Sequence, residues 1–448
     1  MTTLSRRGQS LVDSPPLATY IGEHFARAEQ AWDAQVRPDG YIALCIAENK
    51  RMTAPMLEAL ARYGQAPPDV LGYDAMIGKV PFRQNLAAFM SRAFLGRTVA
   101  WHNLAVLAGA GSVLELMFYA LADPGEGVLV PTPSYAGFWA DLETRDALRI
   151  VRVDCSSADG FALTPARLDA AIDAAECPVR ALLFTNPDNP LGRVASRETL
   201  EDILAWAESR KIHVVFDEIY ALSVFGDTPF VSAASLRPSL GEYVHIVWAF
   251  SKDFGASGLR CGVVVSENEA MLQAVDQLAY WSACSGHTQH LLSSFVGDDA
   301  VVDDYVARMQ QDLAEAYGRV TAALDAASIS YLPAGAGFFV LCDLRGALDA
   351  PTAEAEQRLW ARLLEEANVN LTPGQACRIA EPGLFRLCYA AVPIEAGKRV
   401  SAGSARAWVP PRVETASTPG TRGTTSPRRV GIPQGGAGVP ARDRRRWA

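Results

Sequence analysis

The sequence has no Cys-x-x-Cys pair. Its eight cysteines (Cys45, Cys155, Cys177, Cys261, Cys284, Cys342, Cys377 and Cys388) are scattered along the chain. That spacing excludes a zinc or disulfide framework and reads as the reduced thiols of a cytoplasmic protein, with no metal site. No apolar run reaches the roughly 18–20 residues of a membrane span. Met1–Ser14 lacks the apolar core of a secretory signal. Positive charge is in deficit, 41 Lys and Arg against 50 Asp and Glu, for a net −9. There is thus no electrostatic reason to expect nucleic acid as a partner. No internal repeat is visible. What is present is a 448-residue chain, 49% apolar and 20% charged. It is long enough to bury a large core in two lobes and too apolar to be disordered.

One stretch organises the rest: Ala249-Phe-Ser-Lys-Asp-Phe-Gly-Ala-Ser-Gly-Leu-Arg-Cys-Gly262. Lys252 follows the apolar, strand-like run Val244–Phe250, and Arg260 lies eight positions on. A lysine at the end of a buried strand is poorly solvated, which favours the neutral, nucleophilic amine. Ser251 and Arg260 suit a phosphate, with small residues letting the backbone approach. A Schiff-base lysine beside a phosphate anchor is what pyridoxal 5′-phosphate (PLP) requires. The alternative is a surface Lys and Arg in a glycine-rich turn.

The preceding chain supplies candidates in strand-then-turn settings. A helix is expected over Leu17–Gln35, then a strand from Tyr41 that ends in Ala47-Glu48-Asn49. Helices are expected over 54–66 and Arg83–Leu95, with Tyr73 in the loop between them. Ala105–Ser112 reads as a strand and glycine turn before a helix, Val113–Leu121. Such a junction offers free N–H groups to a phosphate, although many such turns bind nothing. Gly127–Pro133 is a strand that delivers Tyr135, an aromatic placed either to stack on a flat ring or to pack in the core. Val179–Phe184 leads into Thr185-Asn-Pro-Asp-Asn-Pro-Leu-Gly192, where each proline keeps the preceding Asn out of helical conformation. Asn189 suits a phenolic oxygen, or serves the turn alone. After a helix over Thr199–Ser209, Ile212–Tyr220 closes in Asp217. A buried acid calls for a cationic partner such as a pyridinium, or for backbone donors, and Tyr220 is near enough to share its ligand. Alternating strands and helices imply a mostly parallel sheet with ligands at the strands' C-terminal ends, where Tyr135, Asn189, Asp217 and Lys252 all fall. From about residue 290 the pattern changes to helices over His290–Phe295, Val302–Ala327 and Pro351–Ala367, with strands Gly337–Cys342 and Leu384–Ala391. This reads as a smaller α+β lobe. Arg386 lies within its last apolar strand, where a guanidinium is costly without an anion. It is a candidate clamp for a substrate carboxylate, or half of a structural ion pair.

These residues resemble those of PLP enzymes of fold type I in the class I/II aminotransferase group, and within it the 1-aminocyclopropane-1-carboxylate (ACC) synthases. The resemblance spans Tyr20 to Val392. Its most specific text is Ala47-Glu-Asn49, Leu121–Gly125, Leu129–Pro133, Thr185–Gly192, Asp217–Ala221, Ser251-Lys-Asp253, Thr288–Leu292, Glu381-Pro-Gly383 and Phe385-Arg386. The resemblance implies an α/β large domain, with a mostly parallel seven-stranded sheet between helices, plus a smaller α+β domain. The corresponding division is an arm at 1–45 belonging to the small domain, a PLP-binding domain at 46–295 and a small domain at 296–397. It also implies roles. Lys252 would carry the cofactor and move the Cα proton, and Asp217 would hold the pyridine nitrogen. Asn189 and Tyr220 would bind the phenolic oxygen, and Tyr135 would stack on the ring. Ser251, Arg260 and the start of the helix at Ala110, Gly111 and Ser112 would hold the phosphate. Arg386 would bind the α-carboxylate, with Ala47, Glu48 and Tyr20 near the substrate. The family forms homodimers with shared sites.

The sequence departs from the family in places. Two positions before Gly78 the family commonly has a Tyr from the partner subunit; here Met76 stands there and Tyr73 is the nearest tyrosine. Ala249 replaces a serine, and an arginine-rich stretch is reduced to Glu143-Thr-Arg145. The expected terminal helix is missing after about Ala396. Residues 401–448 instead carry nine Arg, two acids, six Pro, seven Gly and no Lys. They read as a disordered basic tail beginning near 398, either a site for an anionic partner or the product of a reading-frame shift near 397. Two reactions are in view. One is loss of methylthioadenosine from Cγ of S-adenosylmethionine, giving ACC or a γ-replacement product. Glu48 and the aromatics near Tyr20 would favour that sulfonium. The other is transamination between an amino acid and a 2-oxo acid. A non-catalytic PLP-binding regulator would need a DNA-binding domain, for which the roughly 40 residues before the first strand are too few. If the frame has shifted, mass spectrometry of the native protein finds none of the Arg-rich tail peptides; finding them sinks the idea.

Overall fold

In the central strands the side chains alternate between two buried faces, so both faces of the sheet must be covered. On one face lie Leu104, Val106, Leu129, Leu182, Val214, Phe216, Ile246, Trp248, Val263 and Val265. On the other lie Ala105, Leu107, Val128, Val130, Ala181, Leu183, Val215, Val247 and Val264. That is the pattern of a parallel sheet sandwiched by helices, and the continuous apolar runs follow from it. The computed structural model describes residues 3–392. The tail at 398–448 and the terminal-helix region after Ala396 lie outside the described residues.

In chain order the strands are β1 (Ile42–Ala43), β2 (Leu104–Leu107), β3 (Gly127–Thr132), β4 (Arg149–Asp154), β5 (Val179–Thr185), β6 (His213–Asp217), β7 (Val244–Ala249), β8 (Gly262–Ser266), β9 (Ser330–Tyr331), β10 (Phe339–Asp343), β11 (Val369–Asn370), β12 (Thr372–Pro373) and β13 (Leu384–Cys388). The large sheet has seven strands in the order β2-β8-β7-β6-β5-β3-β4. Only β8 is antiparallel to its neighbours. Helices Ala110–Leu121, Phe138–Glu143 and Glu269–Leu278 cover one face. Val80–Met90, Arg197–Arg210, Gly286–Val296 and the long Asp299–Ala326 cover the other. A four-stranded antiparallel sheet, β12-β13-β10-β9, stands apart. Beside it β1 pairs in parallel with β11. Asn370 fastens the N-terminal segment there: its Nδ2 donates to the Tyr20 carbonyl (2.9 Å) and the Tyr41 hydroxyl (3.0 Å), while its Oδ1 accepts from Trp360 Nε1 (3.1 Å).

Several expected boundaries move, each for a local reason. The helix expected over Leu17–Gln35 is Thr19–Arg27 with a 3₁₀ turn, Ala28–Gln30. Asp33 ends it by accepting from the N–H groups of Gln35 and Val36 (both 2.8 Å), a turn that competes with the helix. The strand expected from Tyr41 to Asn49 shrinks to β1. The helix expected from Arg83 begins at Val80, with Pro81 in its first turn, and Ser91–Leu95 continues it as a π-turn closed by left-handed Gly96. β7 stops at Ala249, so Lys252 rides a single helical turn, Phe250–Asp253. Five strands were not anticipated: β4 and β8 of the large sheet, and the two-residue strands β9, β11 and β12. The exposed Arg149, Arg152 and Asp154 of β4 fit its place at the sheet edge, and β8 hides directly behind the glycine-rich stretch.

At the end of the sheet away from the C-terminal tips of β6 and β7 sits a histidine pair. His213 Nδ1 lies 3.1 Å from His245 Nε2, and His245 Nδ1 lies 2.8 Å from Ser266 Oγ. Burial lowers His213 to about 4 and His245 to about 3. Below about pH 6.5 the unfolded chain therefore takes up protons that the folded chain refuses. Urea unfolding should show stability falling from pH 6.5 towards 4, with each such proton contributing a slope of up to about 1.4 kcal/mol per pH unit. In His245→Asn that slope should be shallower by about one proton; an unchanged slope would mean the pair is not responsible.

Candidate active site

The C-terminal ends of β2, β3, β5, β6 and β7 converge on a pocket of about 260 Å³. Thr185, the last residue of β5, is in register with Asp217, the last of β6. Tyr135, Asn189 and Lys252 follow three or four residues after β3, β5 and β7. Ala110, Gly111, Tyr135, Asn189, Asp217, Tyr220, Ser251, Lys252 and Arg260, all proposed from sequence, line this one pocket. Ser112 is one residue further into the helix, its hydroxyl 3.3 Å from the Ala108 carbonyl.

Lys252 Nζ donates to the Ala47 carbonyl at 2.8 Å. Burial lowers its pKa, the nearby Glu48 carboxylate opposes that, and Arg386 adds to it. Glu48 does not line the pocket. It accepts from Ser257 Oγ (3.0 Å) and lies 3.6 Å from Lys50. Asp217 is buried, and burial pushes it up to about 7. Its one hydrogen bond to backbone is from Ile219 N–H, a long 3.3 Å. A cation placed against it would restore its charge.

At the start of helix Ala110–Leu121 the cap is Gly109, which has no side chain to offer. The N–H groups of Ala110, Gly111 and Ser112 are thus left without an internal acceptor. Arg260 lies beside them, its Nη2 3.2 Å from the Ala108 carbonyl and its Nη1 3.1 Å from that of Ser257. Both acceptors are neutral, so the positive charge is unbalanced. Gly109 is obligatory here: φ is +92° and a Cβ would lie 2.5 Å from Arg260 Nη2. A helix start, a guanidinium and the Ser251 hydroxyl form a donor set that fits a phosphate. With an acid for a ring nitrogen, Tyr135 for a ring face and a depressed lysine amine, the residues present fit PLP.

Arg386 lies on β13, 1% exposed. Its Nη1 donates to Asn189 Oδ1 (2.9 Å); its Nη2 donates to the Cys45 carbonyl (2.8 Å) and to Thr372 Oγ1 (3.0 Å). Its Nε has no partner among the described residues. The ionisable groups closest to it are thiols and phenols, Cys388, Cys377, Tyr20 and Tyr220, not carboxylates. The same Asn189 donates from Nδ2 to the Tyr220 hydroxyl at 3.3 Å.

Besides Ser112, Ala47, Glu48 and Arg386, two further sequence candidates are not among the residues lining the pocket. Tyr20 is buried in the wall of a neighbouring cavity, close enough to Arg386 to feel its charge. Tyr73 is 93% exposed and reaches nothing in its own chain's site. Residues missed from sequence include Thr185, Phe138, Ser257 and Asp141, which also line the pocket. Burial, with Glu115 nearby, raises Asp141 to about 6. The one available signal was an acid three residues after Phe138 on an otherwise apolar helical face.

A lysine, an acid and a phosphate cradle at the C-terminal edge of this sheet define a PLP-dependent enzyme of fold type I. Residues 39–401 match the family described as aminotransferase class I and II, and the chain belongs to that family. It is an ACC synthase-like member. It is 38% identical to 1-aminocyclopropane-1-carboxylate synthase 4 of Oryza sativa subsp. japonica, over 83% of each chain. It is 34% identical to 1-aminocyclopropane-1-carboxylate synthase 6 of Arabidopsis thaliana, over 79% of this chain and 75% of that one. Among solved structures it superposes on the aspartate aminotransferase from Thermus thermophilus with maleate, with a TM-score of 0.74 at 22% identity, over 91% of this chain and all of that one. A Pyrococcus structure titled protein-A1 gives 0.75 at 20% identity, over 90% and 98%. These two likenesses bear on the fold.

Lys252→Ala should abolish the visible absorbance that marks a lysine-bound cofactor and lower turnover by at least about a thousandfold. Near-normal rates would overturn the site. Arg386→Lys should keep that absorbance but lower kcat/KM for the amino acid by about thirtyfold or more, because the two-pronged guanidinium is lost. An unchanged kcat/KM would remove Arg386 from the substrate site.

Proposed function

We propose that this enzyme acts on S-adenosylmethionine and releases methylthioadenosine, forming ACC. The reading of an amino acid substrate is carried by Arg386, a buried guanidinium without a carboxylate partner among the described residues, joined through Asn189 to the lysine pocket. The choice of S-adenosylmethionine is supported by the relatives, ACC synthases at 31–38% identity.

PLP, when bound, supplies an electron sink that acidifies the Cα–H bond. The chain's own residues do the remainder. Arg386 holds the α-carboxylate, which orients Cα. Lys252, its amine depressed by burial, takes the Cα proton. Asp217 keeps a proton on the ring nitrogen, and Asn189 and Tyr220 hold the phenolic oxygen. The helix start at Ala110–Ser112, Ser251 and Arg260 fix the phosphate, and Tyr135 covers the ring. In the net reaction the Cα–H and Cγ–S bonds break and a Cα–Cγ bond forms. Sulfur leaves as the neutral thioether with the electron pair of its bond, and the proton passes to solvent. Glu48 and Tyr20 stand near the sulfonium's approach.

The working unit in this reading is a cytoplasmic homodimer. All eight thiols are free, as suits a reducing compartment. Tyr73 (93% exposed), Leu71 (90%) and Trp281 (75%) form apolar surface that a second copy would cover. Tyr73 would then serve the partner's phosphate. Residues 46–295 act as the cofactor domain and 296–397, with the arm 1–45, as the small domain; the pairing of β1 with β11 supports the arm's assignment.

PLP-loaded protein mixed with S-adenosylmethionine alone should release methylthioadenosine and ACC, identified by mass spectrometry. No release, together with amino transfer from other amino acids to 2-oxo acids, would make the enzyme an aminotransferase instead.

A further inference from the structure

The lysine pocket holds a second acid to which the reaction gives no part. Asp141 lines it together with Asp217. Its helix, Phe138–Glu143, packs on the helix that opens at Ala110, and Phe138 and Leu142 anchor it in the core. Between those anchors Asp141 faces the start of the neighbouring helix. A Cβ placed on Gly111 would meet Asp141 Oδ1 at 3.8 Å and nothing else within 4 Å. The carboxyl therefore stands beside the helix start whose first N–H groups have no internal acceptor.

The charges that bear on Asp141 have its own sign. Glu115, from the helix Ala110–Leu121, adds to burial, and the two lift Asp141 to about 6. Arg145, the arginine nearest in sequence, is spent on Glu115 at 2.7 Å. Asp146 is itself raised to about 7 by burial and Glu115. Asp217 and Tyr135, across the pocket, are pushed up in part by Asp141. Arg149 and Arg152 of β4, which packs on the same helix, are exposed, as is Glu143 at the helix end. The pocket's cations are engaged with carbonyls, Lys252 with Ala47 and Arg260 with Ala108 and Ser257. No described residue gives the Asp141 carboxyl a hydrogen bond or an ion pair.

A phosphate at this helix start brings further negative charge into the same poorly solvated wall. An ionised Asp141 would oppose it, because like charges repel strongly where water is scarce. A protonated Asp141 would instead donate a short, charge-assisted O–H bond to it. An unpaired acid already destabilised as an anion takes the proton.

We propose that Asp141 is a further cofactor-binding residue, protonated in the loaded enzyme and donating its O–H to the phosphate, so that cofactor binding takes up a proton at this side chain. The proposal does not depend on which amino acid is the substrate. Below about pH 6 the empty pocket already carries that proton, and Asp141 adds no pH dependence. Above it, each pH unit weakens PLP binding through this side chain by up to about tenfold. Lys252, Asp217 and the phosphate titrate as well, so the informative quantity is the ratio between variants at each pH.

Full-length protein freed of cofactor and titrated with PLP, followed by visible absorbance, supplies the dissociation constants. Asp141→Asn keeps a donor and needs no proton. It should match wild type near about pH 5.5 and bind at least about tenfold more tightly at about pH 8. Asp141→Ala, with no donor, should bind about tenfold more weakly than Asp141→Asn throughout. A ratio of wild type to Asp141→Asn that is constant with pH overturns the proton uptake. Equal affinities of Asp141→Asn and Asp141→Ala overturn the donated bond. Infrared difference spectra at about pH 8 test wild type without reliance on a variant's folding. Loading with PLP should bring up the band of a protonated carboxyl, and its absence overturns the proposal.

Discussion

The guanidinium of Arg386 is the constraint on which the rest of the site depends. It draws together three segments distant in sequence: Cys45 after β1, Asn189 after β5 and Thr372 on β12. Removing such an ion from water costs several kcal/mol, and neutral acceptors offset only part of that. The charge therefore imposes its own surroundings. Asn189 must turn its oxygen to the guanidinium, which leaves its NH₂ for the Tyr220 hydroxyl. One buried cation thus sets the orientation of two residues that face the lysine pocket.

Three buried acids show how the fold separates a carboxylate that faces the pocket from those tied into the structure. Glu218 accepts from Ser232 Oγ (2.7 Å) and Ala233 N–H (2.8 Å). Asp253 accepts from Trp248 Nε1 (2.9 Å), Ser223 Oγ (2.7 Å) and Leu222 N–H (3.1 Å). That clamp ties the turn of Lys252 to the segment after Tyr220. Asp217 has a single long backbone bond and lines the pocket. Burial raises all three, to about 8, 7 and 7 respectively. Of the three, only Asp217 is both poorly satisfied and placed to meet a ligand, so among them only its charge state is open to control from the pocket.

The site was more legible in sequence than the boundaries of the elements that carry it. Lys252, Asp217, Asn189 and Tyr135 could be found because a buried parallel strand is a continuous apolar run, and the polar residue that ends it is conspicuous. β4 was missed because its exposed charges, Arg149, Arg152 and Asp154, break the continuous apolar run that marks the buried strands. The helix at Leu17 was drawn too long because the competing turn at Asp33 depends on one side chain's geometry. Trp139 and Arg378, in the wall of the neighbouring cavity, stayed silent because nothing in their local text differs from an ordinary surface helix and turn.

The chain's residues alone determined the class of chemistry: a lysine, an acid, an arginine in a glycine-rich turn and a strand-borne Arg386, each in a setting that only a few chemistries require. They determined it because desolvation of a charged group is written locally, in the apolar run around it. Tertiary structure alone decided which of several buried acids faces the pocket and which neutral groups receive Arg386. It also decided that a second, larger cavity lies against the first. Those facts depend on residues such as Tyr20, Trp139 and Arg378 coming together from far apart in the chain. Such proximity follows from the packing of the sheet and its flanking elements and has no signature in any short stretch of sequence.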